Sequence, residues 1–138
     1  MGQTRVRTGD DIETVRRYFD LYARGLTEPL LALLHPEVRM VPIAADGRVL
    51  VGRDEVRRFF SEMNRDGVST EPYACRFVSH GERVVAIGSL RQRRFSELRD
   101  RTGAWVFEVR DGVVHSIEGY ASPADAIEAA AAPAALPS

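Results

Sequence analysis

The chain is 138 residues long, with 44% hydrophobic and 28% charged residues and a formal net charge of −1. This balance fits one globular domain, holds no apolar run near the ~18 residues of a membrane span, and gives no long-range field for nucleic acid or an anionic membrane. Cys75 is the only cysteine, which excludes an internal disulfide, and the lack of lysine excludes Schiff-base and covalent pyridoxal-phosphate chemistry.

The first third of the chain predicts two helices. Thr8-Gly9-Asp10-Asp11 supplies capping oxygens, and apolar residues then recur at helical spacing, which predicts a helix from about Asp11 to Ala23. Thr27-Glu28-Pro29 begins a second, short helix with proline close to its first turn. His35-Pro36 is expected to end this helix, because the residue before proline avoids the α conformation.

Two strands and a third helix are predicted next. Val38 to Ile43 is predicted as a strand, Asp46-Gly47 as a turn and Arg48 to Val51 as a short second strand. The helix that follows Gly52 has an apolar face at i, i+3, i+4 and i+7, made by Val56, Phe59, Phe60 and Met63.

From residue 72 onward the hydrophobic period changes to two, which predicts two hairpins. Tyr73 to Val78 and Arg83 to Phe95 form the first. Trp105 to Val109 and Val113 to Tyr120 form the second, joined by Asp111-Gly112, a pair typical of a tight primed turn. The intervening segment 91–101 holds five arginines with Glu97 and Asp100, and is interpreted as a solvated strand end and loop.

A terminal helix completes the predicted fold. Ser122-Pro123 begins it, with a capping hydroxyl and a proline at the first helical position. We expect one domain spanning residues 1–138, with frayed tails at 1–10 and 132–138. The order of elements predicts an α+β fold, in which three helices cover one face of a curved antiparallel sheet and enclose an apolar pocket. Residues 1–10 lack the apolar core of a signal peptide, so we expect a cytoplasmic location.

Five segments in this order resemble the nuclear transport factor 2-like superfamily, in particular its SnoaL-like branch. They are Val15-Arg16-Arg17-Tyr18-Phe19, His35-Pro36-Glu37-Val38, Val51-Gly52-Arg53-Asp54-Glu55-Val56, the hairpin from Trp105 to Val114, and Glu118-Gly119-Tyr120. The resemblance implies a cone-shaped half-barrel with a deep apolar pocket, and homodimers that pair across the outer face of the sheet. The superfamily holds ketosteroid isomerases, polyketide cyclases, epoxide hydrolases, dehydratases and non-enzymes, so the fold alone does not select a function.

Resemblance to the ketosteroid isomerases suggests a role for Tyr18. A tyrosine at the matching position of those enzymes donates a hydrogen bond to the substrate oxygen, and a buried phenol suits that task. The alternative is an ordinary tyrosine at the edge of the core. The two acids of the isomerase site would fall near Val41 and Trp105, so isomerase chemistry by the usual residues is not expected, although the Trp105 indole can still donate a hydrogen bond.

Resemblance to the limonene-epoxide hydrolases suggests Glu118 as an acid–base residue, because those enzymes carry an acid on the last strand. Arg91 matches their arginine, but Arg93 stands where a second acid belongs, so the triad is incomplete. Glu118 is then either a pocket base held ionised by Arg91 or an edge carboxylate paired with a surface arginine. Arg91 is either directed into the cavity mouth, where it can also clamp a substrate carboxylate, or solvated.

The predicted pocket wall consists mostly of apolar and aromatic side chains. Its expected members are Phe19, Tyr22, Val41, Phe59, Phe60, Met63, Ile87, Ser89, Phe107, Ser116 and Tyr120. His35, His80 and His115 are expected at a helix end, in a turn and on the strand face opposite Glu118, too far apart to share a metal ion. We therefore expect no metal and no cofactor.

Three functions fit this sequence. The first is an enzyme that uses Tyr18 and Trp105 as donors, Glu118 as base and Arg91 as its charge partner to act on a small apolar substrate. The second is a module that binds a small apolar ligand without turnover. The third is a dimerisation domain whose cavity has no role. The missing acids favour the second function over the first.

Overall fold

The computed structural model describes residues 8–43, 47–65 and 68–132. The elements follow the predicted order of two helices, two strands, a helix, four longer strands and a terminal helix. In the described residues they are α1 Thr8–Ala23, α2 Thr27–Ala32, β1 Leu34–Val41, β2 Leu50–Val51, α3 Arg53–Arg65, β3 Val68–His80, β4 Arg83–Arg94, β5 Glu97–Arg110, β6 Val113–Tyr120 and α4 Pro123–Ala131.

The strands form one sheet in the order β2-β1-β6-β5-β4-β3. All neighbours pair antiparallel except β1 and β6, which run parallel. The sheet is therefore mixed, curved and unclosed rather than wholly antiparallel, because the chain returns from β5 to lay β6 beside β1. The α+β fold class is confirmed.

The two faces of the sheet carry separate apolar clusters. On the concave face, α1, α2 and α3 pack over fully buried side chains such as Val84 and Phe107. On the convex face, Ala126 and Ala130 of α4 pack against Val85, Ala104 and Val106. The expected homodimer through this convex face stays a prediction, and any partner would contact the part that α4 leaves open.

Both ends of α4 have side-chain caps. The Ser122 hydroxyl accepts a hydrogen bond from the Asp125 N–H at 3.3 Å, with Pro123 at the first helical position, as predicted. At the other end, the Arg83 guanidinium donates to the carbonyls of Ala129, Ala130 and Ala132 at 3.3, 3.1 and 2.8 Å. A cation there also complements the negative end of the helix dipole.

Several helix and strand boundaries differ from those predicted. The first helix already includes residues 8–10, part of the segment expected to be frayed, while residues 1–7 and 133–138 lie outside the described residues. The second helix ends at Ala32, and β1 begins at Leu34, so the His35-Pro36 pair lies in a strand instead of ending the helix. The proline is tolerated because it sits in the irregular stretch between Leu34 and Arg39, where the regular pairing of β1 with β6 is interrupted.

The segment expected to be a strand end and loop is instead a regular hairpin. β4 and β5 pair from Arg83 opposite Glu108 to Arg94 opposite Glu97, and Phe95 and Ser96 form the turn. The ion pair between Arg91 and Asp100 links the two strands, which lack an apolar alternation in this region. The second hairpin turn agrees with prediction, since Asp111 and Gly112 have φ of 54° and 75°.

Candidate functional site

An apolar pocket of about 50 Å³ lies between α1, α3 and the concave face of the sheet. We call it the inner pocket. Tyr18 and Tyr22 project toward it from one face of α1, because residues four apart in a helix lie one above the other. Its lining residues are Tyr18, Tyr22, Met40, Val41, Pro42, Ile43, Phe59, Phe60, Met63, Thr70, Pro72, Leu90, Trp105 and Ile117.

A larger cleft of about 230 Å³ lies beside the inner pocket. We call it the outer cleft. The two spaces share four lining residues, Tyr22, Phe60, Met63 and Thr70. Glu71 also lines the outer cleft, and its carboxylate accepts a hydrogen bond from the exposed Tyr73 hydroxyl at 3.0 Å. The two spaces are therefore neighbours with a partly common wall.

Three side chains with hydrogen-bond donors line the inner pocket, those of Tyr18, Tyr22 and Trp105. Tyr18 and Trp105 are only 5% and 7% exposed. Burial raises the pKa of Tyr18 well above its ordinary value, with a further contribution from Tyr22. Burial likewise raises the pKa of Tyr22, helped by Glu71. Both phenols therefore stay protonated, and within the described part of the chain none of the three donors has a hydrogen-bond partner.

Aromatic packing holds these donors in place. The Tyr18 ring lies edge-on to Phe107 at 5.2 Å between centroids, and the Trp105 indole lies edge-on to Phe19 at 5.4 Å. Phe19 and Phe107, which were expected to line the pocket, are instead core residues beneath it. They fix the orientation of the donors rather than offering a surface to a ligand.

The side chain of Glu118 lies on the convex face, opposite to the expected direction. It accepts hydrogen bonds from Arg39 at 2.7 Å and from the Tyr120 hydroxyl at 2.9 Å. The cause is a bulge in β6: Glu108 pairs with Ser116 but Val109 pairs with Val114, which leaves His115 as an extra residue. Because side chains alternate between the two faces of a strand, one extra residue moves every later side chain to the opposite face. Ile117 therefore faces the pocket and its neighbours do not.

The other polar side chains that were expected in the pocket also lie on the convex face. Arg91 is not at the cavity mouth, since its guanidinium binds the Asp100 carboxylate at 2.9 and 3.2 Å. On β4, residues 84, 86 and 90 belong to the concave core, so the alternate residues Ile87 and Ser89 point the other way. Ser116 and Tyr120 share the convex side with Glu118. The epoxide-hydrolase arrangement of Glu118 and Arg91 is therefore absent.

The structure thus brings together part of the predicted site. Tyr18, Tyr22, Val41, Phe59, Phe60, Met63 and Trp105 meet around the inner pocket. Sequence reasoning missed others, among them Leu90, Thr70 and Ile117. Leu90 continues the alternation of Val84 and Ala86 and was detectable from it, whereas the phase of Ile117 depends on the bulge.

Two histidines expected to be apart lie together. The rings of His35 and His115 stack at 4.4 Å between centroids, because His35 lies on β1 and the bulge residue His115 on the adjacent β6. His35 Nδ1 accepts a hydrogen bond from the Glu37 N–H at 3.0 Å. The residues that the structure describes contain no group of three His, Cys, Asp or Glu side chains able to hold a metal ion. The lack of a cofactor stays a prediction.

This histidine pair predicts loss of stability in acid. Burial lowers the pKa of His115, Arg110 and His35 lower it further, and Glu108 and Asp111 oppose them. Since the folded pKa lies below the ordinary value of about 6.5, the unfolded chain takes up the proton first as pH falls. The stabilisation is therefore present above about pH 6.5 and lost below it. Urea unfolding at pH 7.5 and at pH 5 measures the effect. From the higher to the lower pH, the free energy of unfolding should decrease less for His115→Gln than for wild type, and for the control His80→Gln it should decrease as much as for wild type. An equal decrease in all three proteins would contradict the prediction.

Comparison with known proteins agrees with this architecture. A family model described as the SnoaL-like domain matches residues 15–117. No curated protein matches the chain. Within the described part of the chain, none of the helices combines the length and apolar character needed to cross a bilayer.

Several solved structures share the fold. An NTF2-like protein of unknown function from Burkholderia pseudomallei is 23% identical with a TM-score of 0.73, and the match covers 89% of this chain and 98% of that one. A putative polyketide cyclase from Xanthomonas campestris is 20% identical with a TM-score of 0.73, covering 88% and 97%. An LEH-like epoxide hydrolase from M. tuberculosis is 16% identical with a TM-score of 0.72, covering 88% and 89%. At these identities the similarity concerns the fold alone.

Proposed function

This chain belongs to the SnoaL-like domain family, and we propose that its inner pocket binds a small, mostly apolar molecule that carries an acceptor oxygen. The observation that carries the proposal is the set of three protonated donors, Tyr18, Tyr22 and Trp105, without partners in the described chain around an apolar space. A ligand oxygen that accepts a hydrogen bond from one of these donors is expected to contribute about 0.5–1.5 kcal/mol to binding.

The size of the site limits the ligand. The inner pocket of about 50 Å³ is too small for a six-membered ring, and typical ligand sites span about 300–1,000 Å³. The outer cleft, which shares Met63 with the inner pocket, adds about 230 Å³. Because methionine is unbranched and adopts many shapes, its movement joins the two spaces at small cost. We therefore expect a ligand with one ring or a short chain.

Replacement of Tyr18 by phenylalanine tests the proposal. Calorimetric titration of wild type with acetophenone and with ethylbenzene should show tighter binding of the ketone, because only the ketone accepts the phenol hydrogen bond. Tyr18→Phe should weaken ketone binding by about 0.5–1.5 kcal/mol and leave ethylbenzene binding nearly unchanged.

The matched control is Tyr120→Phe, which removes a hydroxyl that lines neither space and donates to Glu118 at 2.9 Å on the convex face. It should bind both compounds like wild type. Equal binding of ketone and hydrocarbon by wild type, or an unchanged preference in Tyr18→Phe, would count against a ligand oxygen at this phenol.

A further inference from the structure

The concave face of the β4–β5 hairpin is rich in arginine beyond the inner pocket. We call residues 91–94 of β4 and 97–102 of β5 the arginine arm. Gly103 lies on the concave face, since a Cβ added there would be 3.1 Å from the Trp105 ring and 3.2 Å from Ile43 Cδ1. Alternation along the strand then places Arg101, Arg99 and Glu97 on that face.

The strand register makes this face continuous with the inner pocket. Leu90, which lines the pocket, pairs with Arg101 on one side and with the pocket residue Pro72 on the other. One row further out, Gln92 pairs with Arg99 and with Thr70, another pocket residue. Side chains paired across strands lie about 5 Å apart on one face. The pocket wall therefore leads directly onto arginines.

These arginines carry a net positive charge that the described chain does not neutralise. Arg94, Arg99 and Arg101 face the concave side with one acid, Glu97, and form no ion pair with any described residue. The other acid of the arm, Asp100, is bound by Arg91 on the opposite face at 2.9 Å. A depression of about 310 Å³ is lined by Gln92, Arg94, Glu97 and Arg99 of this face, together with Arg93 of the other face, and leaves room for an anionic group.

We propose that the ligand of the inner pocket is an amphiphilic anion, with its apolar end in the pocket and a carboxylate bound by the arginine arm. The proposal rests on the proposed function, because it assigns a second end to the same ligand. A guanidinium suits a carboxylate, since its planar N–H groups form two parallel hydrogen bonds with the two oxygens. Burial of the ligand's apolar end stabilises the complex, and the arginine arm gives the site its preference for a negatively charged ligand.

The test compares two probes that differ only in charge. Calorimetric titration of wild type at low salt should show 4-phenylbutanoate binding about fivefold more tightly than 4-phenylbutanamide, as expected for a few partly exposed ion pairs. The preference should shrink in about 0.5 M sodium chloride, because salt screens exposed charges. The variant R94Q/R99Q/R101Q should bind both probes equally and as weakly as wild type binds the amide.

The control variant R17Q/R58Q/R76Q removes the same number of positive charges from exposed positions away from the arm. It should keep the preference for the carboxylate. Equal binding of the two probes by wild type, or loss of the preference in both variants, overturns the assignment to the arm while pocket binding stands. If neither probe binds to wild type, the proposed pocket function itself fails. Where the triple variant does not fold, the single variants R94Q, R99Q and R101Q test the assignment in its place, and each should reduce the preference for the carboxylate.

Discussion

Replacing Phe107 by alanine should lower the free energy of unfolding by about 3–5 kcal/mol, the range for a large aromatic lost from a packed core. The Phe107 ring is fully buried and lies 5.2 Å from Tyr18 and 5.6 Å from Phe19 between centroids. No nearby chain end can collapse into the space, because β5 is a central strand of the sheet. Urea unfolding followed by circular dichroism measures the change.

Phe95→Ala is the matched control for this prediction. Phe95 is 80% exposed at the tip of the β4–β5 hairpin, so truncation to alanine there removes little buried apolar surface. Its φ of 55° is unchanged by the substitution, and the expected loss is within about 0.5 kcal/mol. Similar losses in the two variants would show that the concave core is not packed around Phe107.

Gly88→Ala should destabilise the chain by about 3 kcal/mol, at the upper end of ordinary overpacking. A Cβ at this position would overlap the Tyr73 carbonyl oxygen and lie 2.9 Å from Ala74 Cα. Both are backbone atoms of β3, at the point where Cys75 interrupts the register between β3 and β4. Relief therefore requires the strands to separate, which breaks ladder hydrogen bonds as well.

Gly103→Ala provides the comparison, since its Cβ would meet only side chains, those of Trp105 at 3.1 Å and Ile43 at 3.2 Å. Side chains can shift by a few tenths of an ångström, so the expected loss is about 1 kcal/mol. Chemical denaturation of both variants gives the two free energies. A Gly88→Ala loss no larger than that of Gly103→Ala would contradict the close approach of β3 to β4.

Most of the secondary structure was predictable because its signals are local. The periodicity of α3, the Asp111-Gly112 turn and the Ser122-Pro123 start of α4 each depend on a few adjacent residues. The end of α2 was predicted wrongly, since Pro36 is compatible with a strand wherever its ladder is interrupted. Fold class followed from the order of the elements, while the parallel pairing of β1 with β6 depends on contacts between distant segments.

The arginine arm shows why an exposed strand is hard to predict. Its residues alternate between faces, but both faces are charged, so no apolar period marks the strand. The ion pair of Arg91 with Asp100 links its two strands, and this pair forms only when β4 and β5 are already paired. The sequence therefore indicated a loop where the structure has an uninterrupted pairing of β4 with β5.

The sequence by itself determined the exclusion of lysine chemistry, the order of the elements, the α+β class and the aromatic character of α1 and α3. Only the tertiary structure decided which strand residues face the ligand. Tyr18 and Trp105 meet at the inner pocket, while Glu118 points to Arg39 on the convex face. The physical reason is the period of two in a strand, because one bulged residue, His115, reverses the facing of every residue that follows, and its position depends on strand pairing rather than on local sequence.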